Sequence, residues 1–450
     1  MSCKYTMGTF VLVFVVLPGC ISVWAESLPR IPETSARMID TTVRGRKDAF
    51  PQPSKTITLR EAVSRTMQHN PELAAAAWEA SVQEAGISQA GLRPNPEVDL
   101  ASEEFGGTAV RQRFGGAEMS LRLSQVIELG GKRAQRKQTA SLEYSLAQWE
   151  FEIKRLDTLT QVTKSFIELL AAQERLSLIQ KSEKLAEQFY AMVHEKVKAG
   201  QVPHLEESRA QVVLATARLK RQQAERSLQT ARKQTAAFWG ESNPTFEFAS
   251  GNLDSILPVP RTDNPEQLVL KNPELNRWSV EMERRSAALD LERSNRVPDI
   301  AISGGVSRFN ADRETALVMG LSIPFPIFNR NQGNIQKAER QLSKVREEQR
   351  AETVRVRKSL FAQYQVLAAA SEQASTLAHE VIPVAQSALT VAEEGYRAGK
   401  FSYLDVLDAQ RALFEAQEQN ISALAAYHSA TTEMERLTGA SLEDIIPKSR

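Results

Sequence analysis

The chain has 450 residues, 56 Lys and Arg against 55 Asp and Glu, 42% hydrophobic and 6% aromatic residues. That length exceeds one ordinary core and implies about two or three domains, or one large repeated unit. A formal net charge of +1 gives no electrostatic reason to expect nucleic acid, and charged residues at 25%, with no later apolar run of about 18 or more, exclude a polytopic helical membrane protein.

Lys4 is the only charge before the apolar run Phe10 to Leu17, which Pro18 and Gly19 end. A run this short suits a signal peptide over residues 1–25, with Val23 and Ala25 as the small residues before a cleavage. Leu17-Pro18-Gly19-Cys20 also reads as a lipobox, which makes Cys20 a lipidation candidate, and an uncleaved anchor is the third possibility. Cleavage after Ala25 removes both cysteines, Cys3 and Cys20. Residues 26–56, with Pro29, Pro32, Pro51 and Pro53, read as an extended arm.

The remainder reads as one unit written twice. Asn70-Pro71-Glu72-Leu73 recurs as Asn272-Pro273-Glu274-Leu275 at an offset of 202, and Pro96-Glu97-Val98 meets Pro298-Asp299-Ile300 at the same offset. Leu123-Ser124 aligns with Leu321-Ser322 at 198; Ala199-Gly200 with Ala398-Gly399, and Ala210-Gln211 with Ala409-Gln410, at 199. This places repeat 1 over 57–238, a Gly/Ser/Asn/Pro-rich linker over 239–263, repeat 2 over 264–438 and a tail over 439–450.

Each repeat reads helix, strand, strand, very long helix, helix. A first helix spans about 58–92 with a break at Asn70-Pro71. Strands follow near 97–104 and 117–127, the second alternating Met119, Leu121 and Leu123 with Glu118, Ser120 and Arg122, as a sheet with two unlike faces does. From Gly131 to Lys198 there is no proline, so a helix of roughly 100 Å is expected. Its apolar positions Leu142, Leu146, Trp149, Ile153 and Leu156 step as a coiled-coil seam. The stretch 333–398 is similar, with Pro383 inside it. Both long helices end at Ala-Gly turns and hand over to helices over 203–238 and 402–437, with Gly200 and Gly399 suited to the left-handed position after a helix end.

Four alternating strands cannot close a barrel, since membrane barrels begin at about eight, and an open sheet in lipid leaves backbone groups unpaired. Three chains supply enough strands to close, with their hairpins continuing the barrel as a long helical tube. A soluble coiled-coil rod is the alternative from a different class of protein. It accounts for the helices but not for the amphipathic strands.

The arrangement resembles the TolC-type outer membrane factors over nearly all of the mature chain. The strings IELGGKR at 127–133 and IPFPIFNRNQG at 323–333 resemble the CzcC-like branch linked to heavy-metal efflux. The resemblance implies a mainly α fold with a small β part: a homotrimer with a 12-stranded outer membrane β-barrel continued by a periplasmic α-helical barrel. It implies outer membrane lipid around the barrel, a periplasmic adaptor and an inner-membrane pump of the resistance-nodulation-division class as partners, no nucleic acid, and divalent metal cations as cargo. A drug-efflux or type I secretion duct of the same fold is the alternative cargo reading.

The string YRAGKFSYLDVLDAQ at 396–410 resembles the family's periplasmic entrance. Tyr396 matches the gating tyrosine and Glu206 its acidic partner, which implies a latch between them. Asp405 and Asp408 match carboxylates ringing the entrance; spaced three apart they share a helix face, where cations would gather. Equally, they suit the positive end of a helix as capping charges. Phe401 stands where the family carries a gate arginine, and Lys400 and Arg397 are the basic residues at hand to replace it. The tips Lys198-Ala199-Gly200-Gln201-Val202 and Arg397-Ala398-Gly399-Lys400-Phe401 are the implied adaptor contacts.

Lys132, Arg133, Arg136 and Lys137 open a long helix and read either as lipid-phosphate ligands or as a solvated basic face. His194 and His204 flank the first tip, but two lone histidines make a weak metal site. Neither a phosphate-binding glycine loop nor a hydrolase or metalloprotease motif occurs, so no enzyme activity, catalytic residue or cofactor is expected.

Overall fold

The computed structural model describes residues 33–43, 55–108, 113–257, 259 and 272–439. Residues 1–25, with Cys20 and every reading of the N-terminus, lie outside the described residues, as does 440–450.

The element order is α1 (Glu33–Val43), β1 (Thr56–Thr58), α2 (Leu59–His69), α3 (Pro71–Ala90), β2 (Glu97–Glu103), β3 (Glu118–Ile127), α4 (Lys132–Lys198), α5 (His204–Ala237), β4 (Phe248–Ser250), α6 (Pro273–Ser294), β5 (Ile300–Phe309), β6 (Glu314–Ser322), α7 (Gln332–Thr376), α8 (Ile382–Arg397) and α9 (Tyr403–Thr438). Helix α4 runs unbroken for 67 residues, about 100 Å at the usual rise.

Three expectations need correction. The arm is not simply extended, since Glu33–Val43 is helical and buries Ile39. The segment after Ala237 is no free linker: Trp239 and Phe246 are buried, and Phe248–Ser250 pairs in parallel with Thr56–Thr58. The long stretch of repeat 2 is also interrupted. A π turn over Leu377–Val381 separates α7 from α8, just before Pro383, whose ring cannot sit over an α-helical carbonyl four residues back.

The Asn-Pro-Glu-Leu strings act as joints. Leu73 donates its backbone N–H to Asn70 Oδ1 at 3.0 Å, and Leu275 donates to Asn272 Oδ1 at 3.1 Å, so each asparagine caps a helix whose first residue is proline. Each side-chain amide also donates backwards, Asn70 Nδ2 to Phe238 O and Asn272 Nδ2 to Leu437 O, both at 2.8 Å. The cap of an early helix is thereby tied to the end of the returning helix of the same half.

The return helices bury alanine every seventh residue: Ala210, Ala217, Ala224 and Ala231 on α5, and Ala416, Ala423 and Ala430 on α9. Small side chains at one coiled-coil position let α5 lie close to α4, and α9 close to α7. The largest cluster gathers Phe166, Leu169, Trp239 and Phe246 with Leu424 around the middle of the hairpins.

Strands β2, β3, β5 and β6 form one antiparallel sheet in that order. Its register puts Leu100, Leu121, Val306 and Leu317 in one row, and Val98, Leu123, Gly304 and Met319 in the next. The opposite face holds rows such as Ala101, Ser120, Ser307 and Ala316. Leu317 and Met319 are 86% and 87% exposed, so the apolar face is bare. Among the described residues no helix is long and apolar enough to cross a membrane. The sheet is the element with a lipid-compatible surface.

Asn272 is buried. Asn272→Ala removes a cap and strands the Leu437 carbonyl, so a loss of about 2–4 kcal/mol is expected, read as a lower midpoint of helix melting by circular dichroism.

Candidate functional site at the helical tips

Both hairpin tips are built alike. Ala199 and Ala398 end their helices at φ −78, ψ −1, and Gly200 and Gly399 follow at φ +72 and +71. Gln201 N–H reaches back to Lys196 O at 2.9 Å, and Lys400 N–H to Gly395 O at 2.8 Å. These are closures of the Schellman kind, and they need a residue in the left-handed region.

At the second tip Tyr396 and Tyr403 are each 2% exposed. They pack with Phe189 of α4, the two tyrosine rings 5.8 Å apart and Phe189 at 6.4 and 6.2 Å from them. The structure brings Tyr396 and Glu206 together: the phenol donates to Glu206 Oε2 at 3.2 Å. Burial first, then the adjacent Glu206 charge, pushes the Tyr396 phenol far above its ordinary value, and the same causes push Tyr403 up to about 12.

The basic partner of Tyr396 is Lys196, which sequence reasoning missed. Its ammonium donates to Tyr396 O at 3.0 Å and lies 4.2 Å from the ring centroid, a cation–π placement. Lys400 and Arg397 do not fill this role, and Arg397 instead lies 4.0 Å from Glu393. Phe401 folds back onto Gly395, where an added Cβ would come within 2.1 Å of the ring. The absence of a side chain at 395 is what makes room for it. The signal for Lys196 was its place three residues before the Ala-Gly turn, but only the packing of α4 against α8 brings it to the tyrosine.

Asp405 closes a capping box on α9. Ser402 N–H and Oγ both donate to Asp405 Oδ2 at 2.8 Å, and these bonds hold its carboxyl below the usual range. Asp408 is exposed on the same flank and makes no hydrogen bond or ion pair among the described residues. Glu415 and Glu418 are exposed along the same helix, one of them seven residues beyond Asp408, so the acidic face runs further than the entrance motif. That seven-residue spacing was legible in the sequence.

Glu207 gathers both tip histidines: His194 Nδ1 lies 2.6 Å from Oε1, and His204 Nδ1 3.5 Å from Oε2. Their hydrogen bonds, His194's first, lower the Glu207 pKa. Among the described residues no cluster of three or more His, Cys, Asp or Glu is arranged to hold a metal ion. At the first elbow Lys132 is buried against Asp299 and Arg136 is paired with Glu128. Arg133 Nε donates to Gly91 O at 2.6 Å, so three of the four basic residues read there as lipid ligands are engaged within the chain.

The family model described as outer membrane efflux protein matches residues 62–241 and 264–440. The chain belongs to this family, and is an outer membrane protein with a large periplasmic extension. It is 36% identical over 383 residues to the cobalt-zinc-cadmium resistance protein CzcC of Cupriavidus metallidurans, covering 85% of this chain and 90% of that one. Crystal structures of CusC superpose with a TM-score of 0.73 at 17% identity, covering 88% of this chain and 95% of that one. The outer membrane protein VceC of Vibrio cholerae superposes at 0.70 and 18%, covering 85% and 96%. The fold is therefore that of the TolC-like channels, and the relatives are channel proteins rather than enzymes.

The raised tyrosines give an alkaline prediction. A phenol whose folded pKa is raised contributes stability that is complete below its unfolded value of about 10 and is lost as pH rises toward the folded one. Burial raises Tyr144 and Tyr427 as well, so spectrophotometric titration should show at least four of the seven tyrosines ionising late, with Tyr396 and Tyr403 the most delayed. Tyr396→Phe and Tyr403→Phe should each remove one late component.

Proposed function

We propose that the chain is the exit duct of a tripartite efflux system. It works as a homotrimer that receives divalent heavy-metal cations from an inner-membrane pump of the resistance-nodulation-division class through a periplasmic adaptor. The observation that carries this is the bare apolar face of a four-stranded sheet at the base of two helical hairpins, in a chain of the outer membrane efflux family. Three chains supply twelve strands, four from each, past the roughly eight at which membrane barrels begin. Exposed heptad positions support self-association of the helices as well: Leu205, Val212 and Leu219 on α5, and Val384 and Val391 on α8. A soluble rod leaves the apolar sheet face in water at a large cost.

Cations as cargo are supported by the resistance named for CzcC and by the acidic flank Asp405, Asp408, Glu415 and Glu418. In this reading Tyr396, held by Glu206 and Lys196, latches one hairpin to the other, and Asp405 and Asp408 ring the mouth. The tips 198–202 and 397–401 meet the adaptor. The duct does no chemistry; the pump sets direction.

Two experiments test this. Deleting the gene should lower tolerance to cobalt, zinc or cadmium and leave drug tolerance unchanged; the reverse outcome moves the duct to the drug-efflux reading. In planar bilayers, Asp405→Asn with Asp408→Asn should raise the divalent concentration that half-blocks conductance by about tenfold, a loss of about 1.4 kcal/mol of attraction. Unchanged block removes the carboxylate ring.

A further inference from the structure

We propose that the elbow at 323–333 locks onto the corner at 93–97 of a second copy of this chain, reproducing between chains a joint that the chain already makes within itself. The inference rests on the self-association proposed above and names the residues of its seam.

The internal joint is explicit. The elbow between β3 and α4 docks on the corner between α6 and β5. Leu129 N–H and Lys132 Nζ both donate to Asp299 Oδ1, at 3.0 and 2.7 Å. Gly130, at φ +71, lies so close to the corner that a Cβ there would meet Val297 Cβ at 2.8 Å. The joint is continuous with the β3–β5 ladder, which ends at Ile127 opposite Ile300.

The second elbow has the same construction: Asn331 Nδ2 ties it back to Glu292 O and Oε2 at the end of α6, at 2.8 and 2.6 Å, while Phe325, Ile327 and Phe328 before it stay exposed. Gly131 and Asn331 are both left-handed residues heading a long helix, at an offset of 200. The caps Asn70 and Asn272 stand at an offset of 202. These offsets carry Leu129 to Asn329, Gly130 to Arg330 and Lys132 to Gln332. They carry Val297 to Asn95 and Asp299 to Glu97.

Within one chain this second pairing is impossible, because β2 and β6 are opposite outer strands of the sheet. Two copies side by side bring them together. The chemistry on each side matches. Glu97 is exposed and has no hydrogen bond or ion pair among the described residues. The cation that Lys132 supplies inside the chain is replaced by Arg330, whose guanidinium likewise has no partner among them. Phe325, Ile327 and Phe328 on the elbow are 85%, 57% and 89% exposed, and Leu92 and Val98 at the corner 58% and 70%. An apolar contact thus surrounds one acid–base pair, as around Asp299. On the sheet, the odd-numbered apolar residues of β6 and the even-numbered ones of β2 share the outward face, so joining the two edges keeps that face unbroken.

The test is Asn95→Cys with Arg330→Cys in the full chain, in membranes, under mild oxidation. The two positions correspond to Val297 and Gly130, close enough for a disulfide to reach between them. The expected result is covalent dimers and trimers on a non-reducing denaturing gel, absent from either single variant and collapsed by reductant. A preparation that light scattering finds trimeric but that gives no cross-link overturns the lock, and is the result if the elbow faces lipid instead. A monomeric preparation overturns the duct reading itself, which separates the two failures. As a second measurement, Glu97→Arg should lower the trimeric fraction in detergent at least about threefold, a loss of about 0.7 kcal/mol, and adding Arg330→Glu should restore it, with helicity by circular dichroism unchanged in both. A trimeric fraction indifferent to Glu97→Arg also overturns the lock.

Discussion

A backbone N–H or C=O facing hydrocarbon has no water to bond, and each one left unpaired costs several kcal/mol. The sheet of this protein has an apolar face fit for lipid and two outer strands, β2 and β6, that pair on one side only. Much of the remaining architecture follows from this unfinished surface. Strands β3, β5 and β6, at 10, 10 and 9 residues, have the length and alternation of a membrane wall, of which one chain would supply a segment in the proposed trimer. Closing the wall with further copies is the arrangement that satisfies both edges at once.

The helical part obeys a different constraint. A single helix of 67 residues has little intrinsic reason to stay straight or in register. Here its neighbours hold it. Alanine at every seventh position draws the return helices close, and the Asn-Pro-Glu-Leu caps fasten the ends of the return helices by tying Asn70 to Phe238 and Asn272 to Leu437. At the tips Tyr396 ties one hairpin to the other: it takes a hydrogen bond from Lys196 on its carbonyl, gives one to Glu206, and shares a buried cluster with Phe189, Val193 and Tyr403. At the proposed gate, buried phenols rather than buried charges make the contact.

Asp405 caps α9, and its exposure keeps that compatible with the entrance role proposed for it. It accepts both Ser402 donors and so starts α9 cleanly. Its charge nevertheless remains on the flank that Asp408, Glu415 and Glu418 continue. The capping reading and the entrance reading of this residue therefore describe the same carboxylate, and only Asp408, free of the cap, separates them.

The sequence by itself determined the elements whose signals are local. Strand alternation, the proline-free span after Gly131, the Ala-Gly turns and the break at Asn70-Pro71 depend on residues within a few positions of one another, and these elements lie where the pattern put them. The Tyr396–Glu206 contact was reachable only through the resemblance of the tip to the outer membrane factors. What tertiary structure decided was every pairing across helices: Lys196 rather than Lys400 on the tyrosine, Phe401 turned onto Gly395, Lys132 spent on Asp299, and Glu207 shared by two histidines. It also decided that residues 248–250 and 56–58 pair as strands, and that Pro383 is met by a π turn. These outcomes depend on which surfaces the coiled coils bring within a few ångströms, and periodicity states which face of a helix is buried without stating what lies against it.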